Sequence, residues 1–154
     1  MKKFLLIALI IILTGCTNNE ENIKNEYIAM KSSLIEEKIT SKDVDALPIH
    51  IVANIDRINE EEVNYKVIFK NPKENMHDIK AMIVHNHYSE EIFPSIGVFN
   101  ETKELLVTDE NKEIELTGTI KTIENISKMN LEIKLWIQYT NDSGEKKEIY
   151  YKTT

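Results

Sequence analysis

Three of the four histidines, His77, His85 and His87, fall within an eleven-residue window. Imidazole is the side chain that changes charge near neutral pH, and it is also the commonest metal ligand. His85 and His87 are two apart in a stretch expected to be extended, so both rings leave one face of a strand, and His77 lies just before it. Three imidazoles so placed could form an open zinc or copper site, with Glu90 and Glu91 near in sequence. The plainer reading is a set of solvated or hydrogen-bonded histidines along one strand. Spacing alone leaves both open.

Other reaction chemistry finds no residues to carry it. The sequence has no G-x-S-x-G elbow, no S-x-x-K, no H-E-x-x-H and no glycine-rich phosphate loop. Its four glycines leave little backbone for an anion cradle. Ser32, Ser33 and Ser41 have no base assigned by spacing. Glu60-Glu61-Glu62 reads as a solvated turn, and Asn141-Asp142-Ser143-Gly144 lacks the twelve-residue calcium-loop pattern. No enzyme activity and no cofactor are expected.

Recognition is the other possibility, because apolar residues gather where a connection should be polar. Between Tyr88 and Lys103 the chain carries Ile92, Phe93, Pro94, Ile96, Val98 and Phe99. This segment either folds back over a core or presents apolar surface to a protein or an apolar ligand. Insertion of its tip into a membrane is disfavoured by Glu90, Glu91, Glu101 and Glu104. Trp136 alternates with Glu132, Lys134 and Gln138 rather than with its apolar neighbours. It is therefore either an exposed recognition residue or covered by another element. Tyr88, Ile92, Phe93, Phe99 and Trp136 form the candidate binding surface.

The elements that would position these residues are mostly strands. Period-two alternation runs through Ile49 to Ile55, Val63 to Phe69, Ile79 to Ile83, Ile114 to Ile120 and Leu131 to Tyr139. On the third of these, Met82 and Val84 make the second face partly apolar too. After the turn at 141–144 a last strand covers Glu148 to Lys152, and a weaker one lies near Leu105 to Thr108. About seven short strands with one wet face predict a mainly β protein, an antiparallel immunoglobulin-like sandwich over residues 46–154. Ahead of it, Ile23, Tyr27, Met30, Leu34 and Ile35 fall near helical spacing, so 23–45 is expected to be a short amphipathic helix or leader.

The N-terminus gives an address. Lys2 and Lys3 precede an apolar run from Phe4 to Leu13, which as a helix would span about 15 Å, half of a bilayer's hydrocarbon core. A positive start, a short apolar core and small residues at its end are the marks of an export signal, here residues 1–15. The run closes on Leu13-Thr14-Gly15-Cys16, which resembles the lipobox of bacterial lipoproteins. That resemblance implies a diacylglyceryl group on the Cys16 thiol and cleavage between Gly15 and Cys16. Two acyl chains make a durable anchor where one is marginal. Residues 16–22 then read as the lipidated cysteine and a polar tether.

Cys16 is the only cysteine, so a lipidated chain has no thiol left for a disulfide, a nucleophile or a zinc site. Once Lys2 and Lys3 leave with the signal, 26 acids stand against 17 bases, a net charge of −9. That balance argues against nucleic acid. Abundant Ile, Lys, Asn and Glu point to an AT-rich genome, and hence to the outer face of the cytoplasmic membrane of a Gram-positive bacterium. As a whole the chain resembles small uncharacterised lipoproteins of such bacteria with an immunoglobulin-like ectodomain. The expectation is a non-catalytic binding or accessory module, held to the bilayer by acylated Cys16 and recruiting a protein or other cell-envelope component. The alternative is a metal-binding lipoprotein using His77, His85 and His87.

Overall fold

The computed structural model describes residues 17–37, 46–57, 61–87, 92–121 and 130–153. The export signal, Cys16 and Tyr88 lie outside the described residues. Among the described residues one helix, α1 (Thr17–Glu36), precedes eight strands: β1 (His50–Arg57), β2 (Glu62–Lys70), β3 (Met76–His85), β4 (Ser95–Ile96), β5 (Lys103–Leu105), β6 (Glu113–Lys121), β7 (Ile133–Thr140) and β8 (Lys146–Lys152). A weak strand is expected over Leu105 to Thr108; β5 lies just before it and shares only Leu105 with that span, because Val107 and Thr108 form a turn.

Alternation sorts the strands into two antiparallel sheets. The first has the order β1-β2-β6; the second has the order β4-β3-β7-β8, with β5 also pairing with β3. β4 meets β3 at Ala81 and Met82, and β5 meets it at Met76 and Ile79, so the two short strands share one edge of β3 end to end. The chain fills one sheet with β1 and β2, crosses for β3 to β5, returns for β6 and crosses again for β7 and β8. This is the connectivity of an immunoglobulin-like sandwich. Between the sheets lies a core that includes Ile51, Val67, Phe69 and Leu116 from the first and Ile79, Ile83, Leu135 and Ile137 from the second. Burial of those alternate residues is the main driving force for pairing the sheets.

The second sheet is covered on both faces. Its outward residues Met82, Val84 and Trp136 pack with Tyr27 and Leu34 of α1 and with Phe93 and Val98. In α1 the inward stripe is Ile23, Glu26, Tyr27, Met30, Lys31 and Leu34, the three-and-four spacing of one helical face. The polar tether expected over Thr17 to Asn22 is instead the first part of this helix. No apolar side chain is needed there, because a helix nucleated by packing at Tyr27 and Leu34 adds one hydrogen bond per residue as it extends. Among the described residues, no helix is long and apolar enough to cross a membrane.

Candidate functional site

The segment expected to be a long connection is built onto the sheet edge. The Ile83 amide donates to the Pro94 carbonyl at 3.0 Å, and β4 follows directly. Gly97 then turns the chain at φ 76°, with an added Cβ falling 2.8 Å from the Ile79 carbonyl oxygen. Only glycine tolerates both that angle and that approach. Tyr27 holds the start of the segment: its Oη accepts from the Phe93 amide at 2.8 Å and donates to the Phe93 carbonyl at 3.4 Å. Burial pushes the Tyr27 pKa up, partly opposed by its hydrogen bond with the Phe93 backbone, so the phenol keeps its proton. The Phe99 ring lies 4.7 Å from the Tyr27 ring, and the Lys31 ammonium sits 4.8 Å from the centre of Phe93.

This bracing divides the candidate surface. Phe93 and Trp136 are only 6% and 7% exposed, and so are packing residues rather than free contacts. The reason is α1, which lays Tyr27 and Leu34 over the face that Trp136 occupies. Ile92 is 74% exposed and Phe99 46%. Of the four described candidates, these two are left on the surface, one before and one after β4.

Beside Phe93 a cavity of about 140 Å³ opens between the end of α1, the end of β3 and the start of β7, lined by Ile35, Val84, His85, Asn86, Glu132 and Lys134. It is smaller than a typical ligand pocket but close to the volume that accepts a single benzene ring. Its Lys134 wall is fixed, because Nζ donates to the carbonyls of Ile35 at 2.8 Å and Glu37 at 2.9 Å. Those carbonyls are the unsatisfied end of α1, where a cation is favoured. The pocket has no obvious sequence signal, since it joins a helix end to two strands.

The three histidines are not brought together. His77 starts β3 and His85 ends it, eight residues and about 26 Å apart, too far to share an ion. His85 points into the sandwich, edge-on to Tyr65 at 5.9 Å and to Phe93 at 4.9 Å. Its Nδ1 accepts from the His87 amide at 3.3 Å. Burial pulls its pKa down to about 4, so the ring is neutral at physiological pH. The buried Nε2 of His87 has no hydrogen-bond partner among the described residues. Nor does any group of three metal-ligating side chains form among them.

His77 belongs to a separate polar cluster. Its Nε2 meets Asp142 at 2.9 Å and its Nδ1 meets Glu104 at 3.5 Å. The Asp142 hydrogen bond, reinforced by Glu104, raises the His77 pKa, and the Asp142 pKa falls in return. Next to it runs an open groove of about 770 Å³ whose lining includes Asp78, Lys103, Glu104 and Lys112. Glu104 is already shared between His77 and Lys112, the latter at 3.8 Å. The groove therefore neutralises part of its own charge. No protein-family model matches this chain, and no curated protein matches it.

Proposed function

We propose that the chain is a lipoprotein attached through Cys16 to the outer face of the cytoplasmic membrane of a Gram-positive bacterium. There it acts as a non-catalytic accessory module that recruits a cell-envelope protein. The observation that carries this reading is the pairing of a braced apolar knob with a small hole. Ile92 is held out next to Phe93, whose backbone Tyr27 fixes, and the 140 Å³ pocket shares the His85 ring on which Phe93 packs. An exposed apolar side chain on an immobilised backbone loses little entropy on binding, which favours recognition. A pocket with room for one ring suits an aromatic or branched side chain of the partner.

Photoreactive groups placed at Ile92 and Trp136 in living cells test this. The expected result is one recurrent protein adduct from Ile92, none from buried Trp136, and loss of co-purification with that protein in the Ile92→Glu variant. Absence of any adduct from Ile92, or identical adducts from both positions, would count against the reading. The anchor is tested separately by the mass of the N-terminal peptide, which should carry diacylglycerol on Cys16 and lose it in Cys16→Ser.

A further inference from the structure

We infer that the chain pairs with a second copy of itself through β6, edge to edge and antiparallel, to make one sheet of order β1-β2-β6-β6-β2-β1. Among the described residues β6 has β2 on one side and no strand on the other. A strand so placed turns a row of unpaired N–H and C=O groups outward, a template for another chain. Edges are commonly guarded by proline, by a bulge or by a charge on the inward face. β6 has none of the three. It contains no proline, all nine of its residues pair with β2 without a shift of register, and its inward positions are Ile114, Leu116, Gly118 and Ile120.

The order of side chains along β6 fits a copy of itself. A two-fold axis through Thr117 sets Thr117 against Thr117, Glu115 against Thr119, and Glu113 against Lys121 at both ends. Because the strand has an odd number of residues, each of these pairs lies on one face, and both copies keep their apolar side towards their own second sheet. Within the chain Glu113 already stands opposite Lys70, and Lys121 opposite Glu62. The joined edges therefore complete a row of alternating charge: Lys70 and Glu113, then Lys121 and Glu62 of the second copy. Opposite charges that face each other across an antiparallel pair are favourable, and a self-complementary patch is what a two-fold dimer requires.

The other long edges among the described residues lack this match. β1 has eight residues, so end-to-end self-pairing sets buried Ile51 against exposed Asp56. β8 sets Lys146 against Lys152 at both ends.

The test is disulfide capture, with a mild oxidant, in cells producing the full chain. Directly opposite Cα atoms of an antiparallel pair are about 4.5 to 5.5 Å apart, within the reach of a disulfide. Thr117→Cys lies on the axis and should give a linked dimer several-fold above the wild type, whose single cysteine is Cys16. Glu115→Cys, exposed on the same strand, falls four positions, roughly 14 Å, from its own copy and should give several-fold less. Adding Glu113→Lys to Thr117→Cys should cut the yield several-fold, and adding Lys121→Glu as well should restore it, with Trp136 emission unchanged throughout as the sign of a kept fold. No dimer from Thr117→Cys, equal yields at 115 and 117, a disulfide formed only with a different protein, or a charge swap that restores nothing overturns the inference.

Discussion

The two faces of the second sheet are packed by different means. Its inner face meets the other sheet through aliphatic residues at strict alternation, Ile79, Ala81 and Ile83 against Leu135 and Ile137, on long paired strands. Its outer face is closed by two side chains of a helix and two of an edge segment, around Trp136, Met82 and Val84. The inner face is held by neighbours on every side. The outer one depends on the docking of a single helix, whose ties include the Glu26–Lys80 ion pair and the Lys134 hydrogen bonds to its end. Stability of the domain and cover of its aromatic face are thus separable properties.

The largest effect should follow from cutting the inner core. Leu135→Ala removes a fully buried side chain between the sheets. A loss of about 3 to 4 kcal/mol is expected in denaturant unfolding, with one cooperative transition. Leu34→Ala makes the same chemical change on the outer face. Because α1 can yield locally, the global loss should be smaller, about 2 kcal/mol. Trp136 emission should shift to the red, and the amides of α1 should lose protection first. Equal losses from the two variants, with Trp136 emission unchanged in Leu34→Ala, would mean that helix and sandwich are one unit and the distinction is wrong.

The same contrast explains how much could be read beforehand. The inner face was legible because its period is two: Val63, Tyr65, Val67 and Phe69 are all buried, as are Leu135, Ile137 and Tyr139. The start of β3 was not. Met76 and Ile79 both face inward three residues apart, because Asp78, at φ 50°, makes an irregularity where the pairing register slips. An extra residue at such a bulge breaks the alternation that a sequence reading depends on. The outer face left only a hint in Met82 and Val84, and whether Trp136 was covered depended on where α1 docks, which helical spacing does not specify. The short β4 was hidden for another reason: two residues are too few to show a period. Of the candidate site, the exposed Ile92 and Phe99 lie in the apolar segment singled out by composition, while the pocket beside Phe93 needed three elements in place.

A third effect divides the molecule along β3 rather than across the sheet. At one end His85 is buried against Tyr65 and Phe93, with its pKa pulled down to about 4 by that burial. The folded state thus resists a proton that the unfolded chain accepts near 6.5. Stability should fall as pH drops from about 6.5 towards 4, by on the order of 2 kcal/mol. His85→Leu should flatten that segment of the stability profile. A wild-type profile already flat there, or one unchanged by the substitution, would place His85 in contact with water and undo the contrast with His77.

The smallest effect belongs to His77, at the other end of the strand, and it has the opposite sign. Its pKa is raised, first by the Asp142 hydrogen bond and then by Glu104. The bound proton favours the fold fully below the unfolded value near 6.5, and that contribution disappears as pH rises through the higher folded value. The partners are exposed, so salt should screen the effect. His77→Gln can still accept or donate one hydrogen bond but takes up no proton. Comparing the two proteins between pH 6 and 8 at low ionic strength, the wild type should lose its advantage with rising pH, and added salt should narrow the gap. The two histidines then act as opposing proton-linked terms on one strand, His85 weakening the fold as pH falls below about 6.5 and His77 strengthening it there. A wild type that gains on His77→Gln as pH rises would reverse the sign and show that Asp142 and Glu104 do not hold the protonated ring.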